Sequence, residues 1–333
     1  MKKHLIAAAV AGLIAAPAMA QVTVYGNLET GILNTDTDGQ SSKTELGSSQ
    51  VNSSRLGFRG AEDLGGGLKA FFRLEAGVNL ANGSMGKEVG EGDTYKKNAS
   101  SFQFDRGAEV GLEGSFGSFK VGKFDITGTE GIDSTVSKIG NIGNYGLGSA
   151  LDKDKVFDID LGNDQDHSWQ YSSPTIGGFK LQVGQSLKDG GSNTLSFYAG
   201  GKVAGVGLHI GQDTQKTGSV ETTSTSMGAD YDFGPIAVGL AYGLKEKDGD
   251  GDVTNVVVSG VVPLGGGLAV HGVYADVEKD SVVEGQKGKS GEKMAVALSK
   301  AFSKRTTGYL GYIATDNNGT ETNQLYLAVN HRF

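Results

Sequence analysis

Apolar and polar residues alternate with a period of two along almost the whole chain, while helical periodicity is nearly absent. Leu68, Ala70, Phe72, Leu74 and Ala76 alternate with Lys69, Phe71, Arg73 and Glu75. Val22, Val24, Leu28 and Ile32 do so near the start, and Leu325, Leu327, Val329, His331 and Phe333 at the end. This is the pattern of strands with one apolar and one polar face. Seven glycine-centred tight turns join neighbouring runs: 63–67, 114–117, 173–177, Gly200-Gly201-Lys202, 232–235, 263–267 and 301–305. Longer polar connections fall between these hairpins, at 35–52, 79–99, 125–166, 187–193, 213–221, 245–252, 277–290 and 315–321.

Seven hairpins hold fourteen strands, and the first and last strands bring the total to sixteen. Runs of roughly 9–12 residues match the length that a tilted strand needs to cross a bilayer. A propeller or two sandwiches also accommodate sixteen strands, but short turns alternating with longer loops along the whole chain favour a transmembrane barrel. Aromatic residues near strand ends, among them Tyr25, Phe58, Trp169, Tyr231, Phe302 and Phe333, fit interfacial girdles. The expected fold is therefore all-β: a 16-stranded antiparallel transmembrane β-barrel. In lipid every main-chain group needs an internal partner, so the first strand (22–33) must pair with the last (322–333). A closed barrel of this width leaves an aqueous channel.

Composition and charge remove competing classes. The 333 residues include 55 glycines, four prolines and no cysteine, so disulfide frameworks, thiolate metal sites and cysteine nucleophiles are excluded. Thirty Lys and Arg against 38 Asp and Glu give a net charge of −8, which argues against a nucleic-acid partner. Lys2 and Lys3, the apolar run from Leu5 to Ala16 and Ala18-Met19-Ala20 have the form of an export signal over 1–20, with a mature domain over 21–333.

Charged residues on the polar parity would line the lumen. These are Arg55, Arg59, Lys69 and Arg73, with Glu29, Asp105, Glu109 and Glu113 on neighbouring strands. Arg106 has the opposite parity and requires a rim or a bulge. The longest connection, 125–166, is acidic and includes Asp125, Glu130 and Asp133. Two readings stand open for it: a segment folded into the lumen that opposes acid to the arginines, or a solvated external loop.

Other constellations carry less. Asp248-Gly249-Asp250-Gly251-Asp252 imitates the start of a calcium loop, but position six is Val253 and position twelve is Ser259. His167-Ser168 lies in no nucleophile elbow. No enzyme, cofactor or metal site is expected.

At this point the residues resemble a family. The run Asn52-Ser53-Ser54-Arg55-Leu56-Gly57-Phe58-Arg59-Gly60-Ala61-Glu62-Asp63-Leu64 is similar to the early hairpin of Gram-negative general porins of the beta-proteobacterial type. So are Val24-Tyr25-Gly26, the segment from Arg106 to Lys123, Tyr171-Ser172-Ser173-Pro174 and the closing Asn330-His331-Arg332-Phe333. The resemblance implies a sixteen-stranded homotrimer in the outer membrane whose third extracellular loop folds inward. It implies that Arg55, Arg73 and Lys123 belong to the basic wall of the constriction, and that Phe333 is the signal read by the barrel-assembly machinery. Passive diffusion of ions and small hydrophilic solutes follows, with outer-membrane lipid and lipopolysaccharide as surroundings. The alternative is a substrate-specific uptake channel, which needs an aromatic track along the lumen. The chain departs from enteric members at Thr129-Glu130-Gly131-Ile132-Asp133, which keeps only the acid and one glycine of their Pro-Glu-Phe-Gly-Gly. Gln170 stands where many relatives have a basic residue.

Overall fold

The computed structural model describes residues 22–49, 51–86, 103–126, 128, 165–187, 191–280 and 289–333. The first strands are β1 (Thr23–Thr37), β2 (Lys43–Ser48), β3 (Arg55–Gly65), β4 (Leu68–Asn79), β5 (Ser84–Met85) and β6 (Gly107–Gly114). The middle of the chain forms β7 (Gly117–Phe124), β8 (Gln165–Ser172), β9 (Phe179–Ser186), β10 (Asn193–Val203), β11 (Val206–Thr217) and β12 (Val220–Asp232). The rest forms β13 (Ala237–Lys247), β14 (Val253–Gly265), β15 (Leu268–Lys279), β16 (Lys289–Ala301), β17 (Thr306–Asn317) and β18 (Thr320–Arg332).

These eighteen segments make sixteen traverses of one antiparallel sheet. Two segments, β2 and β3, pair with successive parts of β1 and together form one traverse. The two-residue β5 pairs only with the end of β4 and adds none. The sheet closes as β18 returns to β1, in register from Thr37 opposite Thr322 to Asn27 opposite Arg332. At the seam Phe333 N donates to Gly26 O at 3.1 Å and Gly26 N donates to Phe333 O at 3.2 Å. Closure joins the first strand to the last, which is what allows a sheet to sit in hydrocarbon.

Outward positions form an exposed apolar belt that includes Ile210, Leu240, Val258, Val296, Leu310 and Leu327. A soluble protein rarely presents so continuous an apolar surface. Phe119 stacks on Trp169 with centroids 6.2 Å apart, and Tyr231 meets Phe233 edge-on at 4.6 Å. Tyr25 is not part of a girdle. It stands opposite Gly57 on the inner face.

The structure corrects one turn and two connections. Gly200 and Gly201 lie inside β10, and the chain reverses at Ala204-Gly205, with φ of 49° and 85°. The two glycines answer a packing need instead. A Cβ on Gly200 would lie against the Tyr198 hydroxyl and His209, and one on Gly201 would meet the main chain of Gly178. The connections expected at 213–221 and 315–321 also shrink, to turns between Thr217 and Val220 and between Asn317 and Thr320. Polar stretches such as Gln212 to Thr217 stay paired without alternating in hydropathy, because the outward Gln212 is polar and exposed while the inward Asp213 is polar and fully buried.

The expectation of a uniformly polar interior is corrected as well. On β13 to β17 the inward positions include Ala241, Val257, Val273, Ala275, Ala295 and Ile313, all buried. With Leu33, Val51 and Tyr326 they form the main apolar cluster, on the inner face of one arc of the wall. A charged group spans β3, β4 and β6, while Lys293 on β16 and Glu29 on β1 are buried on the strands that carry the apolar cluster.

Candidate functional site: the charged arc of the inner wall

Cross-strand pairing fixes which side chains share the inner face. Arg59 stands opposite Arg73, Gly57 opposite Glu75, Arg73 opposite Glu109, and Lys69 opposite Glu113. Directly opposed residues of an antiparallel pair project to the same side, about 5 Å apart. Alternation therefore delivers Arg55, Arg59, Lys69, Arg73, Glu75, Glu109 and Glu113 to one curved surface spanning β3, β4 and β6.

Glu75 is the hub. Its side chain is 5% exposed, and its Oε1 lies 3.2 Å from Arg106 Nε and 3.6 Å from Arg55 Nη1. Its Oε2 accepts a 2.7 Å hydrogen bond from the Tyr25 hydroxyl and lies 3.9 Å from Arg73 Nη1. Arg73 also donates through Nε to Glu109 Oε1 at 3.0 Å, and Lys120 Nζ donates to Glu109 Oε2 at 3.0 Å. The Arg59 guanidinium lies over the Tyr25 ring, 5.0 Å from its centroid, a cation–π arrangement. Nearer the turn between β3 and β4, Lys69 pairs with Glu113 at 3.2 Å. Asp105 accepts from Gly77 N at 2.9 Å, which ties the segment before β6 to the end of β4.

Arg106 precedes β6, and its main-chain N donates to Glu75 O at 3.2 Å. That turn outside the strand brings a residue of the wrong parity into the cluster. Lys123 stands opposite Ala108 and shares its outward parity, so the strand register does not bring it to the basic wall. Lys120, opposite Gly111, is the inward lysine of β7. A bulge between Gly122 and Phe124 follows. Asp125 lies just beyond β7, while Glu130 and Asp133, with most of 125–166, lie outside the described residues. Tyr25, Arg106, Glu75 and Lys120 were the members that the sequence did not assign to the site. Parity with Arg73 and with Ser118 was the available signal for the last two.

The remaining constellations resolve into local roles. Asp250 carries both carboxylate oxygens 2.9 Å from Lys279 Nζ, with Lys247 at 3.7 Å. The Lys279 ammonium holds the Asp250 carboxyl below its usual range. Asp248 accepts from Glu221 N at 2.9 Å, so Asp248 and Asp250 are both engaged within the protein. Ser168 Oγ donates to the carbonyls of Gln165 and Asp166, each at 3.2 Å, while the neighbouring His167 is exposed. Among the described residues no group of three or more His, Cys, Asp or Glu is placed to hold a metal ion.

A closed antiparallel barrel of sixteen traverses, apolar outside and carrying interlaced cations and carboxylates on an inner arc, defines a β-barrel channel of an outer membrane. The chain belongs to the Gram-negative porin family, whose sequence pattern matches residues 7–332. It is 32% identical over 308 residues to the outer membrane porin protein 32 of Delftia acidovorans, covering 85% of this chain and 82% of that protein. It is 29% identical over 346 residues to the major outer membrane protein P.IB of Neisseria gonorrhoeae, covering 92% of this chain and 91% of that one. Its fold is similar to that of the anion-selective porin from Comamonas acidovorans, with a TM-score of 0.74 at 24% identity, covering 94% of this chain and 100% of that one. The trimer form of OmpT from Vibrio cholerae gives a TM-score of 0.68 at 14% identity, over 94% of this chain and 99% of that one. The protein is thus a porin of the Gram-negative outer membrane, forming a channel there.

Proposed function

We propose that this porin is a passive, water-filled diffusion pore that favours small anions over cations. The observation that carries this reading is the charge balance around Glu75 and Glu109. Arg55, Arg59, Arg73, Arg106 and Lys120 gather there against Glu75, Glu109 and the nearby Asp105. Cations outnumber carboxylates on this stretch of wall, and the field at a narrow point decides which ions enter. The net charge of −8 does not oppose this, because many acids face outward. Asp276, Glu292, Asp316 and Glu321 form a row on the outer face of β15 to β18, each directly opposite the next.

The name of the Comamonas neighbour, an anion-selective porin, supports the same sign. A homotrimer in lipid and lipopolysaccharide, assembled through the barrel machinery with Phe333 as its signal, completes the proposal, as does removal of residues 1–20 on export. No catalytic role is proposed for any residue. Glu130 and Asp133 are retained as the acids that oppose the basic wall, with Asp125 at the start of their segment. Purified protein in planar bilayers should give stepwise conductance in threes, and in a salt gradient a reversal potential of the sign set by anions. A reversal potential on the cation side would overturn the selectivity, and absence of conductance the pore.

A further inference from the structure

The wall beside β1 is interrupted. Ser48 stands opposite Thr30, and Arg55 opposite Asn27. A continuous strand would need two residues to pass Leu28 and Glu29, yet six separate Ser48 from Arg55. Of the additional residues, Val51 and Asn52 turn inward. Val51 is 1% exposed and joins Leu33, Tyr326 and Ala328 in the apolar cluster on the inner face.

Glu29 anchors this excursion. It is completely buried on the inner face of β1. Its Oε1 accepts from Val51 N at 2.5 Å, and its Oε2 from Asn52 N at 2.9 Å and Asn52 Nδ2 at 2.8 Å. The main chain of Glu29 is clasped too. Its N–H donates to Ser54 Oγ at 2.8 Å, and its carbonyl accepts from Ser49 N at 3.2 Å. Asn27 Nδ2 donates to Ser53 O at 3.0 Å. Convergent amides around a carboxylate form a concavity that only an acceptor fills, and each amide left unmet in a buried site is costly. The excursion ends at Arg55, the first residue of β3, whose Nη1 is 3.6 Å from Glu75.

We propose that this excursion is a constriction element built into the strand wall, and that Glu29 is a positioning residue for permeation. The carboxylate holds the chain between Ser48 and Arg55 inside the lumen and thereby fixes where Arg55 enters the basic arc. The inference rests on the porin reading and makes no use of the segment 125–166.

The register supplies the test. Deleting Ser49–Asn52 leaves Ser53 opposite Glu29 and Ser54 opposite Leu28, so the strand runs on without a break. Single-channel conductance and reversal potential in a salt gradient are measured in planar bilayers, on protein whose circular dichroism keeps the strand signature. Silence of the unmodified protein would defeat the porin reading itself. With the unmodified channel conducting, the deletion should raise conductance about twofold and move the reversal potential toward zero. Glu29→Gln turns one acceptor oxygen into a donor facing an N–H, and should shift both quantities the same way. Combining the two changes should add nothing to the deletion alone. If folded Glu29→Gln keeps the conductance and reversal potential of the unmodified channel, the inference is overturned, whether or not the deletion variant inserts.

Discussion

The hydroxyl of Tyr25 donates to Glu75 Oε2 at 2.7 Å across the inner wall. The same ring carries the Arg59 guanidinium on its face. One aromatic residue therefore steadies both the hub carboxylate and a neighbouring cation, without adding charge of its own. Tyr25→Phe removes the donor and keeps the ring. It should lower stability by about 2 kcal/mol, the usual net worth of a hydrogen bond to a charged group, and leave the reversal potential unmoved. Tyr25→Ala also releases Arg59 and should disturb ion selectivity. Equilibrium unfolding together with reversal potentials separates the two effects.

Gly57 is the residue that lets Tyr25 lie where it does. A Cβ built at Gly57 falls 2.5 Å from the Tyr25 ring and 2.6 Å from its hydroxyl. Gly57→Ala must therefore push the ring off Glu75. Its stability cost should overlap with that of Tyr25→Phe, so the double variant should lose less than the sum of the singles. Strict additivity in unfolding experiments would show that Gly57 acts elsewhere.

Charge reversal at the cluster has a determined sign. Arg73 contacts both Glu75 and Glu109, so Arg73→Glu removes a cation and adds an acid beside two others. The reversal potential should move toward cations. Glu75→Gln subtracts a negative charge from a group with arginines on several sides and should move it toward anions. Both shifts should shrink as ionic strength rises, because the Debye length falls to about 3 Å at 1 M salt.

Most of the barrel was legible because hydrocarbon on one side imposes a period of two on the sequence. Thus Leu68 to Ala76, with one lipid-facing side, declares its inward residues directly. Legibility failed where that constraint lapses. At the tops of β11 and β12 the outward positions and the buried inward ones are both polar, so Gln212 and Thr214 look like loop although they are paired. On β14 valines stand on both faces: Val256 and Val258 point out while Val253 and Val257 point in, and only Asn255 and Ser259 mark the inner side. Arg106 could be given only a rim or a bulge, and a turn before β6 decides its side, while for Lys123 the outward register decides it. The excursion at Ser49 to Ser54 was hidden because four extra residues keep the parity of Arg55 intact. Only the pairing partners of Ser48 and Arg55 reveal it.

The turn between β13 and β14 offers a test with a defined pH window. Lys279 is hydrogen-bonded to Asp250, and this holds the carboxyl below its ordinary value of 3.8. A carboxyl whose folded value is depressed contributes order above its unfolded value and loses it as pH falls through the folded one. The contribution of Asp250 should thus be complete at neutral pH and vanish only below about pH 3.8. Asp250→Asn should speed amide exchange at residues 248–252 at pH 7, and the difference from the unmodified protein should disappear in strong acid. Calcium should not substitute for the lysine, because both carboxylate oxygens already face Lys279 Nζ at 2.9 Å. Slower exchange in this turn on adding millimolar calcium would show that the acids of 248–252 are free to bind a cation after all.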